Sequence, residues 1–234
     1  MLRVEALDIF RALTMFLMLF VNDIPGLRDI PYWLLHATEH EDMLGFSDTI
    51  FPGFLFAMGM AVPFAIENRF KKGDTTGQVA VHIFWRTVAL LVMGLFTVNR
   101  DTIDATATGI SKPWFSILMV LAFFLVWSVY PKVSGLRKWL FTAMKLLGVA
   151  ILAYLFYRYR GVNGSSFSPQ WWGILGLIGW TYLVCASIYL LIRSDLTLNL
   201  IALGLMLGCS VCSEAGLFST VGFIQAVPSE ATLH

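Results

Sequence analysis

The sequence contains little charge. Only 13% of its 234 residues are Asp, Glu, Lys or Arg, whereas 58% are hydrophobic. A soluble domain is about a quarter charged, because a chain of this size must cover its core with polar surface. The shortage of charge therefore excludes a soluble globular domain and favours a chain surrounded by lipid. The net charge of +1 gives no reason to expect nucleic acid or an acidic polymer as a partner.

Cysteine is also scarce. Cys185, Cys209 and Cys212 all lie in apolar stretches, and an odd number in such places argues against a disulfide framework. Cys209 and Cys212 form a Cys-x-x-Cys pair, but no second pair or neighbouring histidine completes a zinc site. No metal is therefore expected there.

Apolar stretches long enough to cross a bilayer recur along the chain. A membrane-spanning helix needs about 20 apolar residues, and backbone polar groups inside lipid must find partners within the helix. The sequence therefore predicts an all-α fold, a polytopic transmembrane bundle of about seven spans in one domain covering 1–234. The first stretch carries Asp8 and Arg11 and no small-residue cleavage site follows it, so we expect it to remain as a span. The predicted spans are 6–22, 47–66, 78–98, 113–130, 137–157, 171–192 and 196–213.

Lysine and arginine are unevenly distributed between the loops. With a cytoplasmic N-terminus, the inner loops hold an excess of basic residues, clustered at 69–72 and 132–138. Tyr32, Trp33 and Trp114 then fall at outer boundaries, where amphipathic rings prefer to lie. The sequence therefore predicts an N-terminus inside and the 23–46 loop outside.

Polar and charged side chains accompany the spans in two layers. Such groups are costly in a membrane, so they pair with one another or mark a functional pathway. Two layers suit a protein that moves a solute across the membrane, or one that reacts two substrates arriving from opposite sides. The inner layer consists of Asp8, Arg11, His82 and Arg86, and the outer layer of Asn22, His36, His40, Asp48 and Glu214.

The first outer loop is the most unusual segment. His36 and His40 occur there among the acidic residues Glu39, Glu41 and Asp42, at a spacing that would share one face of a helix. Imidazole is the usual general base at neutral pH, and imidazoles with carboxylates also bind zinc. A solvated surface loop explains the acidic residues without either role. The residues alone leave these three interpretations open.

The other candidates also have two interpretations each. Asp48 opens a span, where a carboxylate either caps the helix or orients an imidazole. Asn22 is an ordinary polar residue at a helix end or a site residue. His82 and Arg86 either bind an anionic cofactor or cap the inner surface. Arg11 either pairs with Asp8 or lines a cytoplasmic cavity.

Short motifs occur here in a specific order. Together they resemble the heparan-α-glucosaminide N-acetyltransferase family, and most of all its bacterial, Bacteroides-type members. The strong part of the resemblance covers about 3–70, and the run Pro169–Gly176 is also similar. The motifs are Leu7-Asp8-Ile9-Phe10-Arg11-Ala12, Phe20-Val21-Asn22, Leu35-His36-Ala37 and Asp48-Thr49-Ile50-Phe51-Pro52-Gly53.

The resemblance implies a membrane-bound N-acetyltransferase, multi-pass in the bacterial cytoplasmic membrane. It would move acetyl from cytosolic acetyl-CoA to an amino sugar of the glucosamine type on the extracytoplasmic side. The family's active-site histidine matches His36, its asparagine after the first span matches Asn22, and its Asp-Leu-Val-Phe-Pro aspartate matches Asp48. His36 would be the base or would accept the acetyl group, Asp48 would hold its tautomer, and Asn22 would donate to the oxyanion.

The same resemblance sets the expected partners. These are acetyl-CoA, an amino-sugar or glycan acceptor, and the lipid bilayer, with a homodimer as an option and no metal or nucleic acid. The charge of the inner layer makes Arg11, His82 and Arg86 the residues expected to hold the phosphates of acetyl-CoA. The chain departs from the family where Ala12 replaces a glycine and where Thr38-Glu39-His40-Glu41 replaces Ser-Trp-Asn-Gly, which leaves the acceptor open. Family members continue past residue 234, so we expect the bundle to be incomplete at its C-terminus.

The alternative function is a transporter of a small polar or anionic solute. Intramembrane charges in two layers also suit a substrate pathway. Against it, the sequence shows no paired inverted repeats and no matching pair of spans broken by Gly or Pro.

Overall fold

The computed structural model describes residues 5–38, 41–131, 134–193 and 195–214. Within these ranges the chain is helical, and its only β contact is an isolated antiparallel bridge between Ile103 and Gly161. The predicted all-α class is therefore confirmed. The helices are α1 (Glu5–Asp23), α2 (Phe46–Lys71), α3 (Thr76–Asp101), α4 (Ala105–Thr108), α5 (Lys112–Trp127), α6 (Leu136–Arg158), α7 (Gly173–Ile192) and α8 (Leu196–Glu214), with 3₁₀ turns at Ile24–Gly26, Tyr32–Leu34 and Val162–Gly164.

Every predicted span coincides with a helix, but the helices differ in length and polarity. Among the described residues, four helices are long and apolar enough to cross a membrane, namely α2, α3, α6 and α7. The 16 residues of α5 and the apolar stretch Leu196–Cys212 of α8 are shorter. The α1 helix is long enough but carries acidic residues in its first turn.

Large apolar side chains lie on the outside of the long helices. The exposed fractions reach 66% for Phe16, 65% for Phe56, 56% for Phe84 and 55% for Phe156. A soluble monomer rarely exposes so much contiguous apolar surface, whereas lipid requires it. Together with the spans, this surface identifies a membrane protein.

The residues form two compact units. The first comprises 1–87 and 180–234. In it α1 packs on α2, and the Cβ position of Gly53 on α2 lies at ordinary contact distance, 3.9 Å, from Phe10 and Thr14 on α1. The candidate catalytic and donor-binding residues all belong to this unit, namely Asn22, His36, Asp48, Arg11, His82 and Arg86. His40 and the side chain of Glu214 lie outside the described residues.

The second unit comprises 88–179 and has its own core. Phe115 and Leu155 are fully buried there, and Tyr159 is 1% exposed. Asn99, also fully buried, donates to the carbonyl oxygens of Leu95 and Ser168 at 2.7 Å and accepts the Ser168 N–H at 3.2 Å. These bonds anchor the segment before α7 to α3 within the unit. That both units form one domain over 1–234 stays a prediction.

Candidate active site

The outer loop places His36 against the first turn of α2. Its Nδ1 atom lies 2.6 Å from Oδ1 of Asp48. An ionised carboxylate only accepts hydrogen bonds, so Nδ1 carries the proton and donates it. The other ring nitrogen, Nε2, then holds a lone pair, and no described residue forms a hydrogen bond with it. The His36 side chain is 55% exposed and that of Asp48 24%, so the imidazole is accessible while its partner is largely covered.

The second oxygen of Asp48 is also occupied. Oδ2 accepts the backbone N–H of Ala37 at 3.0 Å and that of Gly45 at 2.9 Å. The Asp48 N–H in turn donates to the Gly45 carbonyl oxygen at 3.2 Å, which completes a reciprocal capping pair at the start of α2. The same carboxylate therefore caps the helix and contacts the imidazole, so the two interpretations of Asp48 describe one arrangement.

A second set of contacts holds the loop beyond His36. The Tyr32 hydroxyl donates to Oε2 of Glu41, and the Thr38 N–H donates to the same oxygen at 3.2 Å. The hydrogen bond from Tyr32, followed by those from Thr38, lowers the pKa of Glu41, and the same bond raises the pKa of Tyr32. Hydrogen bonds therefore restrain the loop on both sides of His36. Residues 36–38 are not helical, so His36 does not lie on a helix face.

The structure does not bring every outer candidate to this pair. Asn22 is exposed on the last turn of α1 and forms no hydrogen bond with His36 or Asp48. His40 and Glu39 lie outside the described residues, as does the side chain of Glu214. In the part of the chain that is described, no three His, Cys, Asp or Glu side chains cluster to hold a metal ion.

Two of the inner candidates, His82 and Arg86, lie on α3. The guanidinium carbon of Arg86 lies 4.8 Å from the centre of the Tyr182 ring on α7. His82, one turn earlier on α3, is within electrostatic range of Arg69, Arg86 and Asp74. Arg69 donates to Oδ2 of Asp74 at 2.8 Å, so its charge is already paired. Arg86 instead interacts with Tyr182, and a guanidinium has five N–H donors, more than this one contact uses.

Arg11 is the remaining basic candidate of the inner layer. It lies on α1, and its Nε atom is buried without a hydrogen-bond partner among the described residues. A buried guanidinium nitrogen without a partner is costly, so this position suits an anionic group.

Asp48 and Arg69 lie at opposite ends of α2, in its first and last turns. At about 1.5 Å of rise per residue the distance between them is about 30 Å, close to the thickness of the hydrocarbon core. The His36–Asp48 pair and Arg69 are therefore separated by about the thickness of a membrane.

Comparison with known proteins agrees with the motifs. A protein family described as a domain of unknown function, DUF5009, matches residues 3–221. The chain belongs to this family. It is also 31% identical over 100 residues to human heparan-alpha-glucosaminide N-acetyltransferase and 30% identical over 99 residues to the mouse protein of that name.

The similarity to the human and mouse proteins is partial. It covers 42% of this chain but only 14% of each of the two relatives, so the chain spans about one seventh of their length. No solved structure matches the chain. The resemblance predicted from the ordered motifs is confirmed over this part of the DUF5009 chain.

Sequence reasoning missed several residues that shape the loop. The sequence alone does not indicate the Tyr32–Glu41 hydrogen bond or the one from the Ala37 N–H to Asp48. It also does not indicate the roles of Gly45 and Ser47. One signal was present: Gly45, three residues before an acidic side chain at the start of an apolar stretch, fits the pattern of a helix cap with a carboxylate at its third position.

Proposed function

We propose that the chain is a membrane-bound N-acetyltransferase. It moves acetyl from cytosolic acetyl-CoA to the amine of a glucosamine-type sugar on the extracytoplasmic side. The observation that carries the proposal is the 2.6 Å contact between Nδ1 of His36 and Oδ1 of Asp48, which leaves Nε2 as an accessible base. The partial similarity to the human and mouse N-acetyltransferases supports this reaction class.

The proposed chemistry uses the Nε2 lone pair. The amine nitrogen attacks the thioester carbonyl carbon, a C–N bond forms and the C–S bond breaks. The proton lost by the amine passes to Nε2 of His36 and then to the departing thiolate, which leaves as the thiol of CoA. A positioned base of this kind contributes roughly 10²–10⁴-fold in rate. In a two-step route the same lone pair accepts the acetyl group first.

Asn22 has the proposed role of oxyanion donor. Its side chain is exposed at the outer end of α1 and makes no hydrogen bond to a described residue. A side-chain amide can therefore turn its N–H groups to the oxygen that becomes negative in the transition state. A contact to His36 is not needed for this role.

Arg11, His82 and Arg86 have the proposed role of binding acetyl-CoA. Its phosphates need cationic donors, and Arg86 and the unpartnered Nε of Arg11 offer them on the inner side. His82 lies one turn from Arg86, so its imidazole N–H adds a further donor. The paired Arg69 is less suited, because an anion must compete with Asp74.

The proposed topology completes the function. The proposed topology has about seven spans, with α1, α5 and α8 added to the four long helices, and a cytoplasmic N-terminus in the membrane of a bacterial cell. His36 and Asp48 then face the acceptor, and Arg86 faces the cytosolic acetyl-CoA. The excess of basic residues in the inner loops supports this orientation.

The test is acetyl transfer by the purified chain in liposomes. We expect N-acetylglucosamine, detected by mass spectrometry, when acetyl-CoA is on one side of the membrane and glucosamine is on the other. Protein-free liposomes and liposomes without acetyl-CoA are the controls. Solute uptake without any acetylated amine, over a panel of amino sugars, would contradict the proposal and favour a transporter.

A further inference from the structure

Two residues beside Asp48 restrain the peptide that leads into His36. We infer that Gly45 and Ser47 are positioning residues, which fix the backbone on the N-terminal side of His36 and so hold its imidazole against Asp48. The inference rests on the proposed acetyltransferase function, in which the orientation of that imidazole sets the rate.

Ser47 fixes the carbonyl group of Leu34. Its side chain is buried, with a residue exposure of 3%, and its Oγ donates to the Leu34 carbonyl oxygen at 2.6 Å. A buried hydroxyl without a partner is costly, so this bond holds the end of the Tyr32–Leu34 turn in place. On the other side of His36, the Ala37 N–H is held by Asp48 at 3.0 Å. The histidine is therefore restrained from both directions.

Gly45 allows the peptide to approach α2. A Cβ atom on Gly45 would collide with the carbonyl oxygen of Leu35 and lie 3.1 Å from its carbonyl carbon. The backbone of Gly45, with φ −75° and ψ 159°, is open to any residue, so glycine is needed here for space alone. The carbonyl in question belongs to the peptide bond between Leu35 and His36. A larger residue would therefore displace the backbone of His36 itself.

The chain offers a matched control for each residue. Thr49 lies in the same turn of α2 and donates its hydroxyl at 2.7 Å to the Phe46 carbonyl oxygen within the helix, away from Leu34 and Ala37. Gly59 lies further along α2, and a Cβ atom there meets nothing within 4 Å. Thr49→Ala therefore removes a hydroxyl group, together with a methyl group, and Gly59→Ala adds a methyl group, and neither change touches the peptide of His36.

The first measurement is kcat for acetyl transfer, with the Kd for acetyl-CoA and the thermal midpoint. We expect Gly45→Ala and Ser47→Ala to lower kcat by roughly 10–100-fold at an unchanged Kd, since a displacement of about 1 Å costs up to about 10²-fold. Ser47→Thr keeps the hydroxyl and should recover most of the rate. Thr49→Ala and Gly59→Ala should remain near wild type. A residue that only supports the fold would change the thermal midpoint without this pattern in kcat.

The second measurement does not depend on activity. In protein labelled with ¹⁵N-histidine, with the His36 signals assigned by their loss in His36→Ala, we expect the Nδ1–H tautomer in wild type and a mixture of tautomers in Gly45→Ala and Ser47→Ala. A wild-type chain without transfer activity would defeat the proposed function, and the tautomer would still decide the inference. Wild-type tautomer in both variants, with wild-type kcat where transfer is seen, overturns it. If Gly45→Ala does not fold, the Ser47→Ala and Ser47→Thr pair decides alone.

Discussion

His36 donates from Nδ1 to Oδ1 of Asp48 across 2.6 Å, which joins a loop residue to the first turn of a long helix. The other oxygen of this carboxylate binds the N–H groups of Ala37 and Gly45. The orientation of the Asp48 carboxylate is therefore fixed by backbone N–H groups rather than by the imidazole of His36. A partner fixed in this way selects one tautomer of His36 and leaves Nε2 available.

Replacing Asp48 by Asn should reduce acetyl transfer while acetyl-CoA still binds. An amide has one acceptor oxygen and an NH₂ donor, so it cannot accept all three hydrogen bonds and it favours the wrong tautomer of His36. We expect kcat to fall at least about 100-fold, as for a lost general base. Asp42→Asn, an exposed carboxylate of the same loop, is the control. An Asp48→Asn variant with wild-type kcat would separate this residue from the reaction.

The Tyr32–Glu41 bond makes the outer loop sensitive to acid. Hydrogen bonds from Tyr32 and Thr38 lower the pKa of Glu41. A lowered folded-state pKa means that the stabilisation is fully present above the ordinary glutamate value of about 4.3 and is lost as the pH falls from there through the lowered pKa. The protection factor of the Thr38 amide, which is its exchange rate corrected for the intrinsic rate at each pH, should therefore fall in that acid range. In Tyr32→Phe the exchange should already be faster at neutral pH, and equal exchange in both proteins would disprove the restraint.

Arg86→Ala should weaken the binding of acetyl-CoA without changing the fold. Arg86 lies over the Tyr182 ring, and in the proposed function its N–H groups bind the phosphates of acetyl-CoA. A ligand that binds only the folded chain adds roughly 2.7 kcal/mol of stability at about 100 times its Kd. We expect thermal protection by acetyl-CoA in wild type and a smaller shift in Arg86→Ala. Arg100→Ala, whose guanidinium pairs with Asp101, is the control and should keep the full shift.

The helices were predictable because their signal is local. Length and hydropathy alone placed each apolar segment on a helix, since both are read within about 20 residues. The end of α5 at Trp127, before the predicted 130, follows from Ser128, whose backbone is extended. The short α4 was missed, although Asp104 caps it and Gly109 ends it at φ 71°. Four residues leave no hydropathy pattern to detect.

The candidate site was predictable only where motifs carried it. The ordered motifs pointed to His36 and Asp48, and the structure places these two side chains in contact. The Ser47–Leu34 bond depends on a loop that folds back over 13 residues, and no spacing in the sequence encodes that return. Whether a Cβ atom fits at Gly45 likewise depends on the approach of a distant peptide.

The orientation can be tested by single cysteines. Arg28 in the loop between α1 and α2 and Lys72 in the turn between α2 and α3 are both exposed, so each accepts a cysteine after the native ones are replaced. On intact cells an impermeant thiol reagent should label position 28 and not position 72. The parent without cysteine measures the background. Labelling at position 72 alone would reverse the proposed topology.

The most direct measurement compares His36→Ala with His40→Ala in acetyl transfer from acetyl-CoA. If Nε2 of His36 is the base, His36→Ala should keep expression and acetyl-CoA binding but lose at least about 100-fold in transfer rate. His40→Ala should lose much less, because that position departs from the family motif. Transfer near the wild-type rate in His36→Ala, together with an inactive His40→Ala, would contradict the account and move the base to His40.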